Sequence, residues 1–494
     1  MKPVYLDEPN LVVPLAASYN IRGQDGFTQS ITNASDQRKV NSIYEPVKNQ
    51  ITDKTTLYLV KRPGVSSVAT CGNTNQIAYL HEQAAGGVEP WVFNIVSTST
   101  NRVSSSTSTV AVTTLAGFQP AYVDKTEISG VDTVVLQLRA TSTGTQRTYT
   151  TSTIAAWGEL TDSVFTGLNH QGKMEQMDGF GFIAARSPNR IYNSAINNLS
   201  SWPVLNYLTR RAQQDIHTGL GRLGSQILSW GANTLEVYQN SGSATGSQLE
   251  QLPVLSHDVG LADQSTSGGR HYYGISGGYL YWVSGNPIGC YAYTGQRVEK
   301  VSNVTVDKIL ASRTALSVSR LTFNGQRAIA ICLDVVTAAT QRALLFFPEW
   351  NDWFEWDSTV FITQTGMRST NLYLGVGANQ HKVYRVLDGT NNWIDEATHY
   401  TMTHQFKMPT KGNEHRRLQM FGLKGDTAAS NTTSALNVRF SFDDWQTSTA
   451  ARTIDMTKAV KRITRCGGYS DLGVYLDHTG NLDCRLEAVV ARIE

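Results

Sequence analysis

Sulfur, charge and long apolar runs are all scarce in this sequence, and each scarcity removes a class of protein. The five cysteines, Cys71, Cys290, Cys332, Cys466 and Cys484, are scattered through 494 residues without a C-x-x-C. An odd number at wide spacing fits neither a disulfide scaffold nor a zinc ribbon, so they read as buried free thiols of a chain assembled in a reducing cytoplasm. No stretch approaches 18 consecutive apolar residues, which leaves out a membrane-spanning helix. The opening stretch from Met1 to Ser18 has Lys2 as its one basic residue, and acids and prolines interrupt its apolar run, so it makes a poor secretory signal. Charged residues make up 17% with a net charge of +2. A balance this even argues against a tight, salt-dependent grip on phosphates, without excluding contact with DNA.

Catalytic patterns are equally thin. The ten histidines show no H-x-x-x-H or H-E-x-x-H spacing, so no zinc site is expected. No G-x-x-x-x-G-K-[ST] occurs, and Gly375-Val-Gly377 lacks the third glycine of a dinucleotide fingerprint. Gly274-Ile-Ser-Gly-Gly278 matches G-x-S-x-G, which needs a strand-turn-helix to expose its serine. Its flanks, His271-Tyr-Tyr and Tyr279-Leu-Tyr-Trp282, read as strands, and the motif becomes a hairpin turn. Pro348 to Asp357 interleaves Glu349 and Glu355 with Trp350, Trp353 and Trp356, a mixture that glycosidases use. Along one strand, however, such alternation puts acids in water and rings in the core. No catalytic residue, metal site or cofactor is expected, and the chain is read as a non-enzyme.

What is abundant is strand and turn chemistry. Gly contributes 41 residues, Tyr 21 and Trp 10, among many Ser, Thr and Val, the composition of short strands joined by tight turns. Residues 1–70 read as an irregular N-terminal arm and platform segment, broken by turn signals near Gly23–Gly26 and Pro63-Gly64. Gln76 to His81 and Trp91 to Ile95 form a strand pair. Residues 97–165 read as an inserted Ser/Thr-rich β domain. From 166 to 400 a loose unit recurs: a buried strand, a Gly/Asn/Pro turn, then a strand with a central aromatic. It is visible at Asp178–Asn193, Gln226–Tyr238, Gly278–Tyr293 and Leu372–Val386. Intervals of about 40–60 residues match four-stranded propeller blades, although a β-sandwich series or a β-solenoid would give similar hairpins. The expected class is all-β: a propeller-like ring of short antiparallel blades from 71–96 and 166–400, the insertion, and a C-terminal β module over 401–494.

Basic residues cluster at Arg38-Lys39, at Lys61-Arg62, at Lys411 with Arg416 and Arg417, and at Lys461, Arg462 and Arg465. They read as solvated surface charge, or as contacts to a DNA channel or an acidic partner.

Asp36-Gln-Arg-Lys-Val-Asn41 followed by Leu57-Tyr-Leu-Val-Lys-Arg-Pro-Gly-Val65 resembles the opening of the tail-hub, or nozzle (packaged-DNA-stabilisation), proteins of short-tailed bacteriophages. That family typically begins with a V-N segment and then L-x-x-x-P-G-(I/V). Further similarities follow in order: Asn233–Tyr238 with Ser241-Gly242, then Tyr279–Trp282, Tyr291–Gly295 and Val298–Val301, and at the end Arg485–Glu487 and Ala491–Ile493. The similarity touches most of the chain outside 97–165. It implies a structural virion protein with a β-propeller, a homohexamer below the portal–adaptor complex in the virion tail. Such a ring extends the DNA channel, retains packaged DNA, is passed by DNA without sequence-specific binding at ejection, and anchors fibre, spike or needle proteins. The other reading is a receptor- or carbohydrate-binding propeller, with Trp350, Trp353 and Trp356 as stacking surface and Glu349 or Glu355 as acid.

Overall fold

The computed structural model describes residues 11–15, 37–48, 55–70, 77–82, 90–96, 100–104, 109–113, 118–140, 146–153, 156–210, 215–243, 246–262, 272–323, 325–334, 341–358, 360, 362, 364–368, 371–375, 382–386, 393–395, 398–408, 416–426, 435–443, 445–458, 461–469, 472–479 and 484–493. These residues are mostly strand. Two short helices, Ser163–Thr166 and Val304–Ser312, are capped by the Asp162 and Asn303 side chains, which accept from the orphan N–H groups of the first turn.

Among the described residues six four-stranded antiparallel meanders follow one another, the sixth within a larger sheet, and a seventh unit follows as three consecutive strands. Their first strands are Ile77–Glu82, Phe118–Ile128, His170–Met177, His217–Leu223, Tyr273–Ser276, Ala315–Phe323 and Gln364–Arg368. These first strands lie beside one another in order: the first meets the second, the second the third, the third the fourth, the fifth the sixth and the sixth the seventh. The fourth and fifth are linked by the Tyr272 hydroxyl, which accepts from the Leu220 N–H at 3.0 Å. Gln364–Arg368 returns to Ile77–Glu82, so the series closes on itself. The molecule therefore contains a seven-bladed β-propeller. The outer strand of blade 7 is Val65–Thr70, which precedes blade 1 in the chain. The ring is thus closed by main-chain hydrogen bonds between its two ends.

The second strands explain why the repeat is visible in the sequence. Phe180–Ala185, Gln226–Gly231, Tyr279–Gly285 and Gln326–Leu333 are buried along most of their length. Blades cover them on both sides, so they read as near-continuous apolar runs. Large rings fill the gaps between blades, with Trp230 and Trp282 centroids 5.6 Å apart and Tyr281 5.8 Å from Phe346. Two-residue hairpin turns at Asp178-Gly179 and Gly277-Gly278 hold both residues at positive φ, the twist that suits a tight hairpin and that glycine adopts without strain.

The two ends of the chain build a β-sandwich beside blades 6 and 7. One sheet runs Ser42–Lys48, Thr55–Lys61, Arg485–Ile493, Arg416–Gly425, Arg462–Tyr469, with Leu11–Pro14 on Arg485–Ile493. The other runs Gln37–Val40, Thr401–Lys407, Gly473–Thr479, Ala435–Ser441, Arg452–Asp455. Ile43, Leu59, Phe421 and Val489 from the first sheet pack on Phe406, Val438, Phe440 and Val474 from the second. The same core continues into the propeller through Leu321, Phe347, Phe354, Trp356 and Tyr384. Gln37–Val40 also joins the outer strand of blade 6, Asp352–Asp357, by a parallel bridge at Val40 and Glu355.

Three parts of the sequence reading change. The described stretches of 1–70 are not an irregular arm: they supply five strands to three sheets. Ser42–Lys48 and Thr55–Lys61 form a local hairpin, but the other strands, and Thr55–Lys61 on its far edge, pair with residues hundreds of positions away, which hid their pattern. Residues 97–165 are not an insertion: strands Thr100–Ser104 and Thr109–Thr113 finish blade 1, and 118–159 is blade 2. The C-terminal module is completed by N-terminal strands.

Candidate functional site

The chain passes from sandwich to propeller at Lys61–Val65, and a buried ion pair sits at that crossing. Arg62 is 1% exposed. Its guanidinium forks onto both Asp395 oxygens at 2.9 and 2.6 Å, donates to Asn41 Oδ1 at 2.8 Å, and reaches the Pro63 and Asp357 carbonyls at 3.0 and 3.1 Å. Tyr400 stacks against it at 3.8 Å and Trp356 at 4.5 Å. Every face of the cation is thereby replaced by carboxylate, carbonyl or π-cloud, as a buried charge requires. Asn41 lies at φ 54°, a left-handed conformation that Asn tolerates, and its Oδ1 also accepts from the Asp357 N–H at 2.9 Å. Lys61 Nζ lies 4.4 Å from the Tyr400 ring, and burial pushes its pKa down to about 8.

The expected surface contacts divide accordingly. Lys39, Lys61, Arg62 and Lys461 are buried, so they do not offer charge to a channel or partner, a correction to their reading as surface residues. Lys39 pairs with Asp352 beneath the Tyr44 and Phe354 rings, and Lys461 donates to the Gly425 carbonyl at 3.3 Å. Arg38 is half-exposed but forked onto Glu355 at 2.8 and 2.5 Å. Arg417, Arg462 and Arg465 are exposed. Lys411 and the side chain of Arg416 lie outside the described residues.

The sugar-binding arrangement does not form. Trp353 and Trp356 are core residues, and half-buried Trp350 meets Tyr44 edge-on at 6.1 Å. Glu355 is buried under Arg38 rather than facing water, because its strand is covered by Gln37–Val40 on its outer side. Gly277-Gly278 is a hairpin turn with Ser276 buried, as the strand flanks required. Cys290, Cys332, Cys466 and Cys484 are buried free thiols, and Cys71 lies outside the described residues. Among the described residues no group of His, Cys, Asp and Glu is placed to hold a metal ion.

One polar cluster has no sequence signal. At the ring centre Lys173 of blade 3 reaches Asp124 of blade 2 at 2.7 Å and Tyr273 of blade 5 at 3.0 Å, and Tyr273 donates to Glu175 at 2.7 Å. Burial pushes the Glu175 carboxyl up to about 7, against the opposing pull of Lys173. Gly172 and Gly219 make room for the Tyr272 ring: a Cβ on either would lie within 3 Å of it. These residues come from four strands spread over 150 positions, so spacing could not reveal them. A second buried cluster ties Arg210 to Glu236 at 3.2 Å and to Thr234 in blade 4.

No family model matches the chain, and no curated protein matches it. Among solved structures it is similar to the computationally designed Ika8 protein (9% identity, 64% of this chain and 99% of that one, TM-score 0.39). It is also similar to AFV00434, an ancestral GH74 enzyme (13%, 72% and 54%, 0.41), and to BamB from Moraxella catarrhalis (9%, 71% and 100%, 0.37). The propeller assignment rests on the strand pairing described above.

Proposed function

We propose that this chain is a structural subunit of the tail of a short-tailed bacteriophage, forming an oligomeric hub or nozzle that extends the DNA channel and retains the packaged genome. The observation that carries the reading is where the family-like residues fall. Val40-Asn41 and Lys61-Arg62-Pro63-Gly64-Val65, the two segments that resemble the family's opening, touch each other: the Arg62 N–H donates to the Asn41 carbonyl at 3.0 Å and its guanidinium to the Asn41 side chain. Each residue of the resemblance has a physical task there. Asn accepts a left-handed turn, Pro-Gly redirects the chain from one β unit into the next, and Arg neutralises Asp395 between them.

A propeller inserted into a sandwich also suits a subunit of a ring. The two units share one hydrophobic core, so force on one is transmitted to the other rather than absorbed by a loose linker. The sandwich, built from both chain ends, is the natural platform against an adaptor, and the far blades are then left for appendages. The test is an electron-microscopic and DNA-retention study of particles assembled with a nonsense mutation in this gene. Filled heads that lose their DNA and lack the tail tube support the hub. Particles that keep both DNA and tail but fail to adsorb point instead to a receptor-binding component.

A further inference from the structure

The outer face of the first sandwich sheet carries four arginines with no counter-charge paired to them among the described residues. Arg417 lies on Arg416–Gly425, Arg462 and Arg465 on Arg462–Tyr469, and Arg492 on Arg485–Ile493. Leu418, Phe421, Ile463, Cys466, Val489 and Ala491 of the same strands point into the core, so the arginines share the opposite face. Met420 sits between Thr464 and Arg492, and Gly422 opposite Arg462. With strands about 4.8 Å apart and about 3.4 Å per residue, Arg462 and Arg492 are about 12 Å apart. All four are exposed, and no ion pair or hydrogen bond engages their guanidinium groups among the described residues. Neighbouring cations behave differently. Lys424 pairs with Glu487, Arg485 with Glu45, and Arg452 donates to the Thr464 and Arg465 carbonyls.

Two further details bear on what this face meets. Arg465 is held at φ 58°, a conformation that costs a side-chain-bearing residue about 1 kcal/mol. It breaks the alternation so that Thr464 and Arg465 are both exposed. Strain of this kind points to a use for the side chain it presents. The centre of the face is formed by Met420, Gly422, Thr464 and Val490, and no aromatic stands among them to anchor a protein partner. Guanidinium forks around so small an apolar centre suit phosphate oxygens.

We propose that this face binds the phosphate backbone of duplex DNA without reading its sequence. The choice of DNA rests on the tail-hub reading; the surface itself can be tested on the purified chain. A fluorescein-labelled 30-base-pair duplex of mixed sequence is titrated with the full chain from 25 to 200 mM salt and followed by anisotropy. Up to four phosphate contacts give a log–log salt slope of about −3 to −4, lowered by about one per arginine removed. R462E/R492E weakens binding at least tenfold at 25 mM salt, the milder R462Q/R492Q weakens it less, and R297E on blade 5 leaves it unchanged. Absence of saturable binding at 25 mM salt overturns the proposal, as does an unchanged affinity in the double variants. Capture of polyglutamate but not duplex, dependent on the same arginines, overturns it in favour of an acidic protein. None of these failures touches the hub reading, which stands or falls on DNA retention in particles.

Discussion

Arg62 shows how much a single residue can be asked to hold. A guanidinium taken out of water is tolerated because Asp395, Asn41, two carbonyls and two rings replace the lost hydration. Removing one partner leaves the other charge buried and unpaired, which costs about 3–5 kcal/mol. R62A and D395A should therefore each lower the urea-unfolding stability by about that amount, and R62K should rescue little because an ammonium cannot fork onto both oxygens. The double variant R62M/D395L should lose much less than the two singles together. Additive losses, or a stable R62A, would show that the pair is not holding the two units together. The same residue marks the limit of sequence reading. Lys61-Arg62 looks like surface charge because its partner is 333 positions away, and nothing local distinguishes a buried cation from a solvated one. Where the deciding neighbour is local, as with the strand flanks of Gly274–Gly278, the sequence was enough.

At the scale of elements, a strand is legible when its environment is uniform along its length. Second and third strands of blades 3, 4 and 5 stood out because they are buried and joined by Gly- or Asn-containing turns. Blade 6 escaped because 335–340, between Gln326–Leu333 and Gln341–Phe347, carries no such turn signal. Blade 1 is legible only in its first two strands, because Thr100–Ser104 and Thr109–Thr113, which finish it, are Ser- and Thr-rich, and blade 2 follows that polar stretch and reads with it as an insertion. Ring closure was invisible altogether, since Val65–Thr70 must travel past the whole propeller to pair with Lys382–Val386. That pairing has a testable weight. Ser66 and Ser67 are adjacent, so one of them directs its N–H at the partner strand, and proline there deletes a ladder bond. The more damaging of S66P and S67P should cost about 1–3 kcal/mol and speed hydrogen exchange in blades 1 and 7 together. L208P, in the outer strand Tyr207–Thr209 of blade 3, should disturb that blade alone. If S66P and S67P both stay as local as L208P, Val65–Thr70 is not the closure of the ring.

Across the whole molecule, buried titratable groups decide how stability follows pH, and two kinds pull in opposite directions. Burial pushes His170 and His478 down to about 4, and His217 and His404 to about 3. Neutral when folded, each contributes stability that is fully present above the unfolded value near 6.5 and is lost as pH falls below it. Glu175, raised to about 7, does the reverse: its contribution is present below the unfolded value of about 4.5 and lost as pH rises toward 7. Near pH 5.5, unfolding therefore takes up about four protons at the histidines and releases about one at Glu175, and the histidines prevail. These five groups alone give a slope of about 4 kcal/mol per pH unit, with stability falling as the solution is acidified. The check is urea unfolding of the wild type, H404Q and E175Q between pH 5 and 6.5. H404Q should flatten the slope by about 1.4 kcal/mol per unit, and E175Q should steepen it by a similar amount, since each removes one proton from opposite sides of the balance. A wild-type slope near zero would mean that these histidines are protonated in the folded chain. An E175Q slope equal to wild type would mean that Lys173 keeps the Glu175 carboxylate ionised at the ring centre, and that the propeller is held there by an ion pair rather than by a shared proton.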